Sequence, residues 1–204
     1  MNAAAAPRAW QRMLSGRRLD LIDPSPLDVE IADIAHGLAR VARWNGQTHG
    51  SEIFSVAQHS LLVEAAFAAV APLATRAERL AALLHDAPEY VIGDMISPFK
   101  AAIGGDYKLV ETRLLRAIFL RFGLPPQMPA DLAKAVKAAD QLAAYLEATT
   151  LAGFTVAEAR KFFGAPNVAL KAFAAYLQPL RPAEAQAQFL ERFRALDGAS
   201  PSTP

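Results

Sequence analysis

Two acidic side chains of this sequence follow apolar runs, where a solvated acid is not expected. Asp86 comes directly after His85 at the end of Leu80-Ala81-Ala82-Leu83-Leu84, and Asp140 follows Ala138-Ala139. Burying an ionised carboxylate is costly unless it is paired or bound to a metal. The adjacent imidazole of His85 is itself a common metal ligand. These residues therefore indicate a site for a divalent metal ion.

A metal site at His85 and Asp86 needs ligands from other segments. Neighbouring residues of a helix point about 100° apart, so this pair shares one ion only if the helix meets the ion nearly edge-on. His59 on an earlier predicted helix and Asp140 on a later one are suitable partners. Two imidazoles and two carboxylates suit Mn, Fe, Co, Ni or Zn, with open positions for water and a phosphate oxygen. Such an ion lowers the pKa of its water and neutralises phosphate charge.

The elements that carry these residues are predicted to be helices. Alanine and leucine dominate the apolar residues, β-branched runs are few, and strand-like alternation is nearly absent, which favours an all-α, single-domain bundle. We expect an N-terminal extension over 1–27, the helical domain over 28–197 and a flexible tail over 198–204. Apolar spacing and capping residues predict helices over 8–14, 28–43, 56–70, 76–86, 106–122, 131–151 and 184–196.

Composition restricts the partners and the location of the protein. The chain has 204 residues, with 21 basic and 20 acidic side chains and a net charge of +1, so nothing in it calls for a nucleic-acid polymer or a membrane. It has no cysteine, which excludes disulfides and thiolate metal ligands. No apolar run is long enough to span a membrane, and the N-terminus does not resemble a secretory signal. We expect a cytoplasmic protein that forms a homo-oligomer.

The order His59, His85-Asp86, Asp140 resembles the H…HD…D signature of the HD-domain phosphohydrolases. Over about residues 28–152 the chain is most similar to the bacterial 5′-deoxynucleotidases and the related phage and bacterial deoxynucleotide triphosphohydrolases. The supporting runs are Arg43-Trp44, Val56-Ala57-Gln58-His59-Ser60-Leu61, Leu84-His85-Asp86-Ala87-Pro88-Glu89, Gly93-Asp94, Pro98-Phe99-Lys100 and Val136-Lys137-Ala138-Ala139-Asp140. The resemblance implies an all-α HD domain that binds a divalent transition metal and is compatible with an additional Mg²⁺.

The resemblance also implies roles for individual residues. Glu89 orients or deprotonates the attacking water. Asp94 meets the sugar 3′-hydroxyl or helps to protonate the leaving oxygen. Arg43 contacts phosphate, and Trp44 packs beside the sugar and disfavours a 2′-hydroxyl. Lys100 and Lys137 are candidate phosphate contacts. Because Glu89 is followed by Tyr90 rather than Asp, the sequence departs from the guanosine-tetraphosphate hydrolases of the superfamily.

Taken singly, each position has a simpler interpretation. A lone histidine such as His59 is more often a core or surface residue, and Asp140 could be tied to a backbone amide. Glu89 could be a solvated helix-end acid, and Asp94 a turn residue. Arg43 could form a plain salt bridge, Trp44 could fill a core position, and Lys100 and Lys137 could simply be solvated. The complete set of ligands in order favours the functional interpretation.

The sequence therefore predicts an enzyme that hydrolyses a phosphoester of a small nucleotide, with 5′-phosphate removal from deoxynucleoside monophosphates as the first hypothesis. A deoxynucleoside triphosphate triphosphohydrolase uses the same metal chemistry and differs in the cationic groups it needs beyond the metal. A non-catalytic nucleotide or metal sensor is the hypothesis from another class. Retention of Glu89 argues against that sensor, because a binding module needs no acid to activate water.

Overall fold

Helices make up most of the chain, as the sequence predicts. The computed structural model describes residues 8–96, 105–166 and 170–198. The α-helices in this part are α1 (Ile31–Leu38), α2 (Val56–Val70), α3 (Arg76–Leu83), α4 (Glu89–Ile92), α5 (Gly105–Arg121), α6 (Ala130–Thr150), α7 (Val156–Phe163) and α8 (Pro182–Asp197). Short 3₁₀ segments lie at Pro26–Asp28, Arg43–Gly46 and Leu170–Leu177. Within the described ranges no helix is both long and apolar enough to cross a bilayer.

Helix α2 is the central element, and it packs against α3, α6, α8 and the Leu170–Leu177 segment. One apolar cluster joins α1, α3, α5 and α8, and a second joins α2, α6 and Leu170–Leu177. The Ser55 side chain caps α2 by accepting a hydrogen bond from the Gln58 backbone N–H. Because α2 is covered on nearly all sides, its polar residues His59 and Glu64 are buried and need partners.

The N-terminal segment is a β-hairpin, so the helix predicted over 8–14 is wrong. Strand β1 (Trp10–Arg12) pairs antiparallel with β2 (Arg18–Asp20). Gly16 in the turn has a φ of 88°, which glycine adopts without steric cost. Leu19 is fully buried in the cluster of α1, α3, α5 and α8. Strand pairing and the burial of Leu19 therefore override the local helix preference of this segment.

The helix predicted over 28–43 is shorter than expected. Asp28 ends a 3₁₀ segment capped by Ser25, and α1 begins only at Ile31. Beyond α1, Ala42 forms a β-bridge with Ser55, and the Arg43 backbone N–H donates to the Phe54 carbonyl at 2.8 Å. This tertiary pairing makes the backbone extended and brings the residues after Ala42 to the N-terminus of α2.

His85 and Asp86 lie in a turn and not on a helix, which corrects the predicted extent of α3. Helix α3 ends at Leu83, and α4 begins at Glu89 after Pro88. Gly37 allows α4 to pack closely against α1, because a Cβ atom at this position would lie only 2.7 Å from the Tyr90 carbonyl oxygen. The turn removes the edge-on requirement, since adjacent residues outside a helix are not held about 100° apart.

Candidate metal site

The two histidines of the signature point their Nε2 atoms toward one centre. His59 is fully buried on α2, and its ring centroid lies 5.4 Å from that of His85. His85 Nδ1 donates to the Ala82 carbonyl at 2.9 Å, and His59 Nδ1 lies 2.5 Å from Glu147 Oε1. Because a carbonyl only accepts, Nδ1 of His85 carries a proton, which leaves Nε2 as the nitrogen that can bind a metal. This is the orientation in which metal-ligating histidines are normally held.

Two carboxylates complete this centre. Asp86 Oδ2 lies 3.2 Å from His85 Nε2 and 3.4 Å from His59 Nε2. Asp140 Oδ1 lies 3.4 Å from His59 Nε2. One ligand atom each from His59, His85 and Asp140 all lie within 4.8 Å of one another. The structure thus brings together the four residues that the sequence analysis selected as metal ligands.

The donor set fits a divalent transition metal. The Nε2 atoms of His59 and His85 are buried and make no hydrogen bond of acceptable geometry, although carboxylate oxygens lie nearby. Buried nitrogen atoms rarely remain in that state without an ion or water between them and their neighbours. Two imidazole nitrogens with carboxylate oxygens are ligands that Mn, Fe, Co, Ni and Zn accept.

Electrostatics around the centre also favour a cation. Burial, and then Arg43, opposes a charge on His59, but the carboxylates of Glu147, Asp140 and Asp86 outweigh both and raise the pKa of His59 well above its usual value. The carboxylates around His59 thus favour positive charge at this centre. Burial would raise the pKa of Asp86 and Asp140, but the nearby histidines outweigh it and hold both pKa values below their usual range.

Glu147 is the site residue that the sequence analysis missed. It is fully buried on α6, and its carboxylate contacts His59, the Trp44 indole N–H and the Arg43 side chain. A signal was present, since Glu147 lies seven residues after Asp140, about two helical turns along the same face. It also sits in the apolar run Ala143-Ala144-Tyr145-Leu146-Glu147-Ala148. The reasoning applied to Asp140 would therefore have found it.

Arg43 lies among carboxylates next to the centre. Its Nη1 donates to Asp94 Oδ2 at 3.0 Å, and its Nε lies 3.4 Å from Glu147 Oε2. Burial would lower the pKa of Arg43, but Glu147, Asp94 and further carboxylates at Asp86 and Glu89 raise it. Arg43 and Asp94 thus form an ion pair beside the centre, and their expected roles toward phosphate and sugar stay predictions.

Trp44 follows in an unusual backbone conformation. Trp44 has a φ of 56° and Asn45 a φ of 51°, both in the left-handed region that non-glycine residues rarely adopt. The indole N–H donates to Glu147 Oε2 at 2.9 Å. Its ring packs 5.5 Å from Phe154 and 5.8 Å from Phe163 between centroids. Trp44 therefore combines the core contacts of the simpler interpretation with a hydrogen bond into the site.

The other candidate site residues, Glu89, Asp94, Lys137 and Lys100, differ in burial and in their contacts. Glu89 is buried as the first residue of α4. Asp94 follows Gly93, which ends that helix with a φ of 78°. Lys137 Nζ lies 2.7 Å from Asp140 Oδ2 while its side chain is 67% exposed. Lys100 lies outside the described residues.

Sequence comparisons agree with this arrangement. Residues 32–179 match the family described as 5′-deoxynucleotidase YfbR-like, a match that covers α1 through the Leu170–Leu177 segment. The chain belongs to this family. An uncharacterised protein of Rhodobacter capsulatus is 58% identical over 190 residues, which are 93% of this chain and 96% of the relative. The uncharacterised protein YfdR of Escherichia coli is 32% identical over 169 residues, 83% of this chain and 85% of that protein.

Family membership confirms the predicted relation to the HD superfamily. The YfbR-like family indicates a hydrolase of the 5′-deoxynucleotidase type. Neither named relative carries a described activity. The substrate of this YfbR-like chain therefore has to be argued from its own residues.

Proposed function

We propose that this chain is a metal-dependent phosphohydrolase that removes the 5′-phosphate from deoxynucleoside monophosphates. The observation that carries the proposal is the convergence of His59, His85, Asp86 and Asp140 around one centre. A non-catalytic sensor would need those ligands, but it would not need a buried acid such as Glu89 in the same electrostatic environment. A hydrolase needs both.

The four converging residues would hold the metal through His59 Nε2, His85 Nε2 and the carboxylates of Asp86 and Asp140. When bound, a divalent metal supplies Lewis acidity toward a water molecule and a phosphate oxygen. The protein orients the histidines through Ala82 and Glu147, so that both rings offer Nε2. Mn, Co, Fe, Ni and Zn are all compatible with these ligands, and an additional Mg²⁺ remains a prediction.

The neighbouring residues bind the nucleotide and move protons. Glu89 accepts a proton from the attacking water, and Asp94 meets the 3′-hydroxyl or assists the leaving oxygen. Of the five N–H groups of a guanidinium, Asp94 and Glu147 engage two in Arg43, and among the described residues no other side chain takes the rest, which could therefore bind phosphate. Trp44 lies beside Arg43 and would face the sugar of the nucleotide whose phosphate Arg43 holds.

A monophosphate suits the charges around the centre better than a triphosphate. The carboxylates of Asp94, Glu147 and Asp140 form ion pairs with Arg43 and Lys137, and in the described part of the chain no other lysine or arginine pairs with them. Two further phosphates would bring more negative charge to a region rich in acids, at a cost that rises as water is excluded. The triphosphohydrolase is therefore the second hypothesis.

A panel of ribo- and deoxynucleoside mono-, di- and triphosphates, incubated with Mn²⁺ or Co²⁺ and separated by chromatography, tests the proposal. We expect deoxynucleosides and inorganic phosphate from the deoxynucleoside monophosphates, and loss of that activity after chelation. Release of tripolyphosphate from deoxynucleoside triphosphates would show that the chain is a triphosphohydrolase and not a 5′-deoxynucleotidase. Nucleotide binding without turnover at any metal would establish the sensor. Cytoplasmic location and homo-oligomeric assembly remain separate predictions, the second of which light scattering tests.

A further inference from the structure

We propose that Glu147 is a positioning residue that couples occupation of the metal site to the placement of the Arg43–Trp44 turn. The inference deepens the proposed function and rests on it only for the kinetic part of the test. Glu147 itself does not need to touch metal or substrate. It acts because one buried carboxylate contacts His59, a candidate metal ligand, through one oxygen and Arg43 and Trp44 through the other.

The two oxygens of Glu147 divide these contacts. Oε1 accepts from His59 Nδ1 at 2.5 Å. Oε2 accepts from Trp44 Nε1 at 2.9 Å and lies 3.4 Å from Arg43 Nε. The three donors come from different parts of the chain: His59 from α2, and Arg43 and Trp44 from the segment before it. The single side chain on α6 therefore fixes two segments relative to each other.

The contact with His59 acts on the metal site. A carboxylate that accepts the second N–H of a ligating histidine orients the ring and increases the basicity of the other nitrogen. Here that other nitrogen is the buried Nε2 that faces Asp86 and Asp140. Loss of such a partner typically lowers metal affinity ~10–100-fold.

The contact with Trp44 acts on the turn. A tryptophan and an asparagine in succession with positive φ are strained, and such a conformation persists only where the surroundings determine it. The packing of Trp44 against Phe154 and Phe163 holds the ring, but only Glu147 accepts the indole N–H among the hydrogen bonds of the described residues. The direction of the ring and of the adjacent Arg43 therefore depends on the same carboxylate that orients His59.

Replacing Glu147 by glutamine tests the hydrogen bonds of its carboxylate without changing the volume of the side chain. The glutamine of Glu147→Gln keeps the shape of the side chain but has only one accepting oxygen. Its amide N–H groups would face an N–H group of His59 or Trp44, with which they cannot form a hydrogen bond. The glutamine oxygen can accept from His59 or from Trp44 but not from both, and donation by the amide to His59 Nδ1 requires the tautomer whose Nε2 carries the proton. The matched control is Glu64→Gln, because Glu64 is also a buried glutamate on a central helix with cationic partners, but its contacts are Arg79 and Arg192.

The first measurement is Zn²⁺ affinity by competition with a chelating dye, which needs no substrate. We expect Zn²⁺ to bind Glu147→Gln ~10–100-fold more weakly than the unchanged protein, and Glu64→Gln to keep its affinity within about twofold. Equal Zn²⁺ affinity in Glu147→Gln and the unchanged protein would overturn the proposal. An equal loss in both variants would also overturn it, because the effect would then come from weakened folding.

The second measurement begins with a protein that keeps every Glu147 contact, so its first arm does not depend on whether Glu147→Gln folds. The chain has two tryptophans, and Trp10→Phe leaves Trp44 as the only one. We expect the emission of Trp44 to change when Zn²⁺ saturates this variant, since the metal ligand and the indole share one carboxylate. With Glu147→Gln added, saturating Zn²⁺ should change the emission little. No response of Trp44 in Trp10→Phe, or the same response in both proteins, would contradict the coupling.

Kinetics on the deoxynucleoside monophosphate then connect the coupling to turnover. We expect Glu147→Gln to raise KM and lower kcat even at metal concentrations that saturate it, with effects that are not additive with Trp44→Phe, which removes only the indole donor. Additive effects would overturn the link between the two residues. If no variant or unchanged protein hydrolyses any nucleotide, the proposed function fails, while the Zn²⁺ and Trp44 measurements still decide the role of Glu147.

Discussion

Two buried glutamates on adjacent helices, Glu64 of α2 and Glu147 of α6, have opposite electrostatic surroundings. Glu64 is contacted by Nε of Arg79 at 2.6 Å and by Nε and Nη2 of Arg192, each at 2.8 Å. These contacts tie α2 to α3 and α8, and both oxygens are satisfied. Nothing around Glu64 calls for an additional cation.

Around Glu147, negative charge exceeds positive charge. Asp86, Glu89, Asp94 and Asp140 contribute carboxylates to the same region, and the paired cations are Arg43 and the exposed Lys137. Two imidazole nitrogens also remain buried without a hydrogen bond. A buried acid is thus a structural element where cations balance it. Surplus acids beside unsatisfied imidazoles indicate a place for a cation.

The largest effect that distinguishes the two regions is expected from removing a carboxylate that lies near both histidines. We expect Asp86→Ala to abolish metal binding and activity together, because Asp86 Oδ2 is adjacent to the Nε2 atoms of both His59 and His85. Elemental analysis of the purified protein reports the metal directly. Unchanged metal content in Asp86→Ala would show that Asp86 is not a ligand, whereas Glu64→Ala should retain its metal.

A smaller effect separates catalysis from metal binding within the same region. We expect Glu89→Gln to keep its metal and to lose ~10²–10⁴-fold in kcat, the usual cost of removing a group that transfers a proton. Single-turnover kinetics together with metal analysis measure both quantities. Loss of metal in this variant would place Glu89 among the ligands and leave the proton acceptor to be sought elsewhere.

The choice of sugar gives an effect of intermediate size at the edge of the region. We expect Trp44→Ala to raise kcat/KM on ribonucleotides relative to matched deoxynucleotides by roughly 10–100-fold, since a buried unpaired hydroxyl costs ~1–3 kcal/mol. The ratio is measured on a matched ribo and deoxy pair in both proteins. An unchanged ratio would make Trp44 a core residue, as its contacts with Phe154 and Phe163 allow, and Asp94 the next candidate.

Sequence reasoning succeeded for features that neighbouring residues determine. The cap at Ser55 and the capping box of Thr75 with Glu78 lie within one helical turn, and both helices begin as predicted. It failed for the hairpin and for the end of α1, because the burial of Leu19 and the bridge from Ala42 to Ser55 depend on distant parts of the chain.

The same distinction applies to the site. The four candidate ligands could be selected from the sequence because they are unusual residues in apolar surroundings, and the structure brings them together. Their local geometry could not be predicted from the sequence, since His85 and Asp86 lie in a turn after α3 and not on the helix itself. Glu147 lies in similar apolar surroundings, and the reasoning applied to Asp140 would have selected it too. Its contacts could not be predicted, because the three donors come from residues about 90 to 100 positions away.

The smallest effect is expected at Lys137, where the comparison with Glu64 is sharpest. Lys137 Nζ pairs with Asp140 Oδ2 at 2.7 Å, but its side chain is 67% exposed, whereas the arginines at Glu64 are about one-third exposed. Exposed ion pairs contribute ~0–1 kcal/mol, because water screens them and a long side chain loses freedom. Lys137→Ala should therefore change thermal stability and metal affinity little.

If Lys137 also contacts phosphate, KM for a nucleotide should rise by roughly up to fivefold, equivalent to the same ~1 kcal/mol, and this rise should shrink as salt increases. The measurement is KM at low and high ionic strength in both proteins. An increase in KM that does not depend on salt would mean that Lys137 acts by holding the Asp140 carboxylate in place, and metal affinity should then fall with it.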